Sequence, residues 1–163
     1  MSEVQLIPSL SAAEVDAIET EIAHLPDRES AAIDALLIVQ EKRGWISDAS
    51  LAAIARLLGM STADLDSIAT FYNLIYRRPV GRHVVMVCDS VSCYLMGCDR
   101  LRAAVEDKLG IRPGQTTEDG RFTLLPIVCL GACDRAPAMQ VGDKLYGPVA
   151  VEDLDGIFGS FDT

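Results

Sequence analysis

The sequence predicts an α+β chain, in which an N-terminal helical bundle is followed by an α/β domain on a mixed sheet. Three observations predict it. Residues 1–76 hold no cysteine and carry apolar residues at helical spacing. RRPVGR, residues 77 to 82, then breaks the pattern with turn residues and concentrated positive charge. Beyond it, short β-branched runs alternate with helical stretches, and all five cysteines fall between positions 88 and 133. The expected domains are therefore 1–76 and 77–163.

In the first domain, Ser11 and Glu14 form a capping-box pattern, and Val15, Ile18, Ile22 and Leu25 follow at helical spacing up to Pro26. A second helix carries Ile33, Leu36, Leu37 and Val39, places Lys42 and Arg43 in its last turn, and stops at Gly44. Ser47 or Asp48 caps a third, with Leu51, Ile54, Leu57 and Leu58 on one face before Gly59. Ser61 and Asp64 open a fourth that runs through Leu65 and Ile68 towards Phe71. These stripes are core packing of a bundle, to which a docking role is assigned because they carry no ligand chemistry.

In the second domain HVVMVC reads as a buried strand, and Leu101, Ala104, Val105 and Leu109 as a helix closed by Gly110. IRPGQTTEDG is turn-rich. RFTLLPIVC is a second strand whose Pro126 marks an edge or bulge. AMQV and KLYG, around Gly142 and Asp143, form a hairpin, and VEDLDGIF is a last short helix. Strand, helix, strand, hairpin and helix in that order describe a thioredoxin-like domain.

Half of the 163 residues are apolar, enough for a packed core. Twenty-four acidic against fourteen basic residues give a formal net charge of −10, which repels phosphate backbones and argues against nucleic-acid binding. No apolar run approaches the roughly 18–20 residues of a membrane span, and MSEVQLIPSL lacks the basic start and apolar stretch of a signal peptide. The expected location is the cytoplasm, where thiols stay reduced and clustered cysteines read as metal ligands or redox groups.

VCDSVSCYLMGCDR spaces Cys88, Cys93 and Cys98 with four residues between successive cysteines, and CLGAC adds Cys129 and Cys133. Neighbouring strand ends deliver their loops to one sheet edge, so Cys-x4-Cys and Cys-x3-Cys can converge across the intervening chain. Gly97, Gly131 and Ala132 leave room for backbone N–H groups to approach sulfur. Zinc prefers shorter Cys-x2-Cys knuckles. A 2Fe-2S cluster takes two thiolates on each iron and suits two wider loops. The spacing favours the cluster and leaves zinc and reduced core cysteines open. That last reading is the weakest, since loop cysteines beside glycine are not core cysteines.

Other chemistry is sparse. His24 and His83 lack an acidic partner at a catalytic spacing and read as structural. Neither G-x-G-x-x-G nor a Walker A loop is present, so the chain shows no nucleotide site of its own. Asp89, Asp99 and Asp134 flank the cysteines as solvated loop residues or as groups that lower a cluster's potential, with Arg135 placed to offset them.

VCDSVSCYLMG, PGQTTEDGRFTLLP and CLGACDRAPAMQV, with VQEKRGWISD and ATFYNLIYRRPVGRHV upstream, resemble the E-subunit family of NADH:quinone oxidoreductase, respiratory complex I, over nearly the whole chain. The resemblance implies a helical region before a thioredoxin-like domain that binds one 2Fe-2S cluster through Cys88, Cys93, Cys129 and Cys133. It also implies docking on a flavin subunit, the F subunit, which holds FMN and the NADH site. The chain would then be an electron-transfer subunit, not catalytic alone, attached through the complex to the cytoplasmic side of the membrane without inserting into it. The same pair of subunits is reused in NAD-linked formate dehydrogenases and NAD-reducing hydrogenases. A reading of another class is a free ferredoxin or a zinc-stabilised interaction module. Cys98 falls where the family motif requires no cysteine, and Ala150–Val151 replace a Thr-Pro-Glu helix start.

Overall fold

The computed structural model describes residues 9–161; the stretch MSEVQLIP, read above for a leader, lies outside them. Two compact units make up the chain, Met1–Pro79 and Val80–Thr163, so the break falls inside RRPVGR.

The first unit is built on four α-helices among the described residues: α1 (Ala12–Ile22), α2 (Ala32–Arg43), α3 (Asp48–Leu58) and α4 (Thr62–Phe71). The caps follow the sequence. Ser11 accepts from the Glu14 N–H while the Glu14 carboxylate accepts from the Ser11 N–H. Ser47 and Ser61 cap α3 and α4, and Gly44 ends α2 in the left-handed region at φ +82°. The first helix ends a turn earlier than the stripe to Leu25 implies, because Pro26 disfavours helical backbone at Leu25 and crowds the Ile22 carbonyl. Ile18, Leu36, Val39, Ile54, Leu58 and Leu65 form its buried core, each contributing about 1.5–3 kcal/mol by leaving water.

Arg77 belongs to this unit. Its guanidinium bonds Asp66 at 2.6 Å, Asp48 at 2.7 Å and the Ile46 carbonyl. The Gln40 side chain ties the segment after α4 back to α2, accepting from the Tyr76 N–H and donating to the Leu74 carbonyl.

The second unit is a four-stranded mixed sheet in the order β2-β1-β3-β4, with β1 (His83–Cys88), β2 (Phe122–Ile127), β3 (Met139–Val141) and β4 (Lys144–Tyr146). The β1–β2 pair is parallel, and β3 runs antiparallel to β1 and β4. Between β1 and β2 lie the short α5 (Val91–Leu95) and α6 (Cys98–Leu109); α7 (Leu154–Gly159) closes the unit. Leu101 and Val105 of α6 and Leu154 and Phe158 of α7 pack with Val85, Val87 and Leu124 of the strands.

Pro126 lies on the edge strand β2, as its missing N–H requires. The outward-facing N–H groups of Phe122 and Leu124 bond the Thr117 hydroxyl and the Gln115 carbonyl, so the 114–117 segment covers that side of the strand. His83 packs at a tilt against Phe161 at 4.7 Å and Phe122 at 5.8 Å between centroids. Burial, then the nearby Arg82 and Arg121 charges, push its pKa down, so it serves this unit as a neutral aromatic.

Candidate metal centre

Parallel pairing puts the C-terminal ends of β1 and β2 at the same edge of the sheet. Cys88 is the last residue of β1, opposite Ile127, and Cys129 stands two residues beyond that partner. The antiparallel strand β3 begins at the same edge, so the 3-10 turn Cys133–Arg135 is brought there from the other side. Two bonds pin the junction: the Cys88 N–H donates to the Ala138 carbonyl at 3.0 Å and the Asp89 N–H to the Ile127 carbonyl at 3.3 Å.

The cysteines divide into two environments. Cys88, Cys93 and Cys98 are all at most 2 % exposed and pack with Ala132 and Ala138, whereas Cys129 and Cys133 are exposed. The expectation that loop cysteines lie outside the core therefore fails for Cys93 and Cys98. Cys93 and Cys98 are not loop residues either: Cys93 is in α5 and Cys98 is the first residue of α6, after Gly97 at φ +91°. A five-residue helix is too short for apolar periodicity to reveal it. All five thiols are unpaired by disulfides.

The sulfurs meet backbone N–H groups. Burial pushes the Cys88 thiol up, but the Ser90 and Leu130 N–H groups and the Cys93 and Cys129 side chains outweigh it, and the result is a lowered pKa. For Cys93, burial is the largest cause and raises the pKa, opposed by the Ala138 N–H and aided by Cys88. The Gly131 N–H donates to Cys129 Sγ at 3.3 Å, a turn made at φ +72°, where a side chain would be strained. Each of these N–H bonds favours a thiolate, the form that binds metal.

Thus Cys88 faces both Cys93 and Cys129, and Cys133 stands at the same edge. A donor set of reduced thiols with N–H groups aimed at sulfur fits an iron–sulfur group. Cys98 points elsewhere, into an ionic cluster of Asp89, Asp99 and Arg102. Asp89, Cys98 and Asp99 bring ligand atoms within 4.8 Å of one another, but the Arg102 guanidinium already supplies their positive charge. Burial raises the Cys98 thiol, against the pull of Arg102.

Residues 18–162 match the thioredoxin-like 2Fe-2S ferredoxin family. The chain belongs to that family. Among curated relatives it is 51 % identical over 148 residues to the E subunit of the NADH-quinone oxidoreductase of Escherichia coli K12, covering 89 % of each chain. It is 47 % identical over 153 residues to the protein of the same name from Pseudomonas aeruginosa, covering 91 % of this chain and 92 % of that one. Among solved structures, an NAD+-reducing NiFe-hydrogenase in its H2-reduced state superposes with a TM-score of 0.65 at 21 % identity, over 77 % of this chain. The chain spans about a fifth of that hydrogenase chain (22 %), and the likeness is one of fold. Family membership accords with the thioredoxin-like order read from the strands.

Two residues that support the site escaped the sequence reading. Arg102 is visible in sequence only as one helical position four after Cys98, and its bond to Asp89 spans thirteen residues. Gly147 packs against Arg135, so a Cβ there would meet the Arg135 carbonyl oxygen and side chain. No local signal separates Gly147 from other turn glycines.

Proposed function

We propose that the chain is the electron-carrying subunit of an NADH:quinone oxidoreductase, holding one 2Fe-2S cluster through Cys88, Cys93, Cys129 and Cys133. The observation that carries this reading is the convergence of the β1 and β2 ends, which gathers buried and exposed thiols under the Ser90, Leu130, Ala138 and Gly131 N–H groups. Relatives from the quinone-linked complex, at about half identity over most of both chains, favour that complex as the host; the hydrogenase likeness supports fold alone.

When bound, the cluster supplies a one-electron acceptor and donor. This chain's residues would do the rest. Cys88 and Cys93, held in the apolar pocket with Ala132 and Ala138, exclude water from one side of the site. Cys129 and Cys133, on the exposed turn, leave the other side open to an electron donor. Val91, Leu95, Met96 and Val128, each more than 60 % exposed on the two cysteine-bearing segments, supply an apolar rim for that approach.

The donor we infer is a flavin subunit that holds FMN and binds NADH. The helical domain of residues 1–76 provides a second docking surface, supported by exposed Leu37, Phe71, Tyr72 and Leu74. Among the described residues no helix is long and apolar enough to cross a membrane, so attachment to the membrane would come through the complex.

The test is anaerobic purification followed by metal analysis and EPR after reduction. Two irons per chain with a 2Fe-2S signal is the expected result. Zinc without iron would refute the electron-transfer reading.

A further inference from the structure

Among the ion pairs of the described residues, Arg102 is the one charged side chain linking the buried cysteine pocket to the acidic residues beside it. Its Nη2 lies 2.7 Å from Asp89 Oδ1 and 4.0 Å from Cys98 Sγ, and its Nη1 3.6 Å from Asp99 Oδ1. Asp89 directly follows Cys88, and Cys98 shares its pocket with Cys88 and Cys93. The Arg102 side chain is 29 % exposed, against 53 % for Asp89 and 63 % for Asp99. Of these charges the guanidinium is therefore the least hydrated and the least screened by salt.

We propose that Arg102 holds up the reduction potential of the group bound by Cys88 and Cys93, acting as a fixed positive charge and as a clamp on Asp89; the role rests on the ligand assignment above. Reduction adds one electron and so one negative charge to the site. A guanidinium beside it stabilises the reduced form, and an unpaired carboxylate destabilises it. With Arg102 in place, the Asp89 charge is compensated by a bond that also fixes the residue after Cys88. Without it, Asp89 and Asp99 would both stand uncompensated next to the pocket. Arg135, the residue the sequence offered for this role, instead faces Asp134 at 3.9 Å on the exposed turn, where both partners are about half or more exposed. Its charge is better screened, and its effect smaller.

The experiment is an EPR-monitored redox titration of the full-length chain carrying its cluster, with Arg102→Gln, Asp89→Asn and the double variant. Arg102→Gln should lower the midpoint potential, Asp89→Asn should raise it, and the double variant should lie between the two, with iron content and spectral shape retained. Opposite shifts are what a merely structural brace would not produce. Shifts of the same sign in both single variants, or none in either at full iron content, would overturn the proposal. Should Arg102→Gln fail to hold iron, Asp89→Asn decides alone: a potential that stays or falls overturns it. A wild-type chain that binds no 2Fe-2S cluster would instead defeat the ligand assignment.

Discussion

Glu14 and Arg43 meet through two parallel hydrogen bonds, Nε to Oε1 at 2.7 Å and Nη2 to Oε2 at 2.6 Å, with Glu14 only 2 % exposed. The same guanidinium donates to Ser50 Oγ at 3.1 Å, so α1, α2 and α3 share one polar knot inside the helical unit. The hydrogen bonds from Arg43, more than those from Ser11, hold the Glu14 carboxyl at about 2 in spite of its burial. A folded-state pKa below the unfolded value gives stability that is fully present above about 4.5 and is lost as pH falls through about 2. Glu14→Gln should cost roughly 3 kcal/mol near neutral pH, the lower end of the range for breaking a buried pair, because Arg43 keeps some access to water. Urea unfolding at pH 7 and pH 3 checks it: the wild type should lose part of its advantage over the variant at the lower pH. An equal difference at both would remove Glu14 from the acid response.

The assigned ligands and the fifth cysteine should separate cleanly. Cys98→Ser should leave iron content and spectrum nearly unchanged, since Cys98 faces Asp89 and Arg102 and serves as a small buried residue. Serine at Cys88, Cys93, Cys129 or Cys133 should remove or strongly alter the cluster. Iron loss in Cys98→Ser beside a normal spectrum in Cys93→Ser would exchange their roles.

Gly147→Ala should weaken iron binding although it is no ligand. The added Cβ would collide with the Arg135 carbonyl, and the turn from Cys133 to Arg135 would have to move. Gly156→Ala in α7, with nothing in reach of a new Cβ, is the control. Iron per chain and melting temperature report the result: a fall in both for the first and neither for the second. Matching behaviour of the two variants would remove Gly147 from the support of the turn.

Residues 80–163 form a compact unit with their own buried core and all five cysteines. Expressed alone, this fragment should hold iron and fail to assemble with the flavin subunit. Co-purification of the fragment with that subunit at full yield would dismiss the helical docking role.

Apart from the end of the first helix, the helix ends, the strands and the hairpin were legible in the sequence because their signals are local: a serine before an apolar run, a glycine after one, β-branched residues bounded by turns. Glu14 shows where such reading stops. Its capping box with Ser11 is three residues long and was visible, but its ion pair with Arg43 spans 29 residues and was not. At the candidate site, the meeting of Cys88 with Cys129 could be inferred from two adjacent strand ends. The short α5 could not, and neither could the choice of Arg102 over Arg135, because each depends on packing that brings distant residues together.

The cover over β2 also bears on how the molecule behaves among copies of itself. A strand at the border of a sheet recruits another chain through outward N–H and C=O groups. Here the outward N–H groups at Phe122 and Leu124 are engaged by Thr117 and Gln115, and the next outward position is Pro126, which has none to offer. Over its whole length this border gives a visiting strand no hydrogen-bond donor. The exposed valine that follows it, Val128, can therefore face a specific partner without making this border of the sheet sticky toward its own kind.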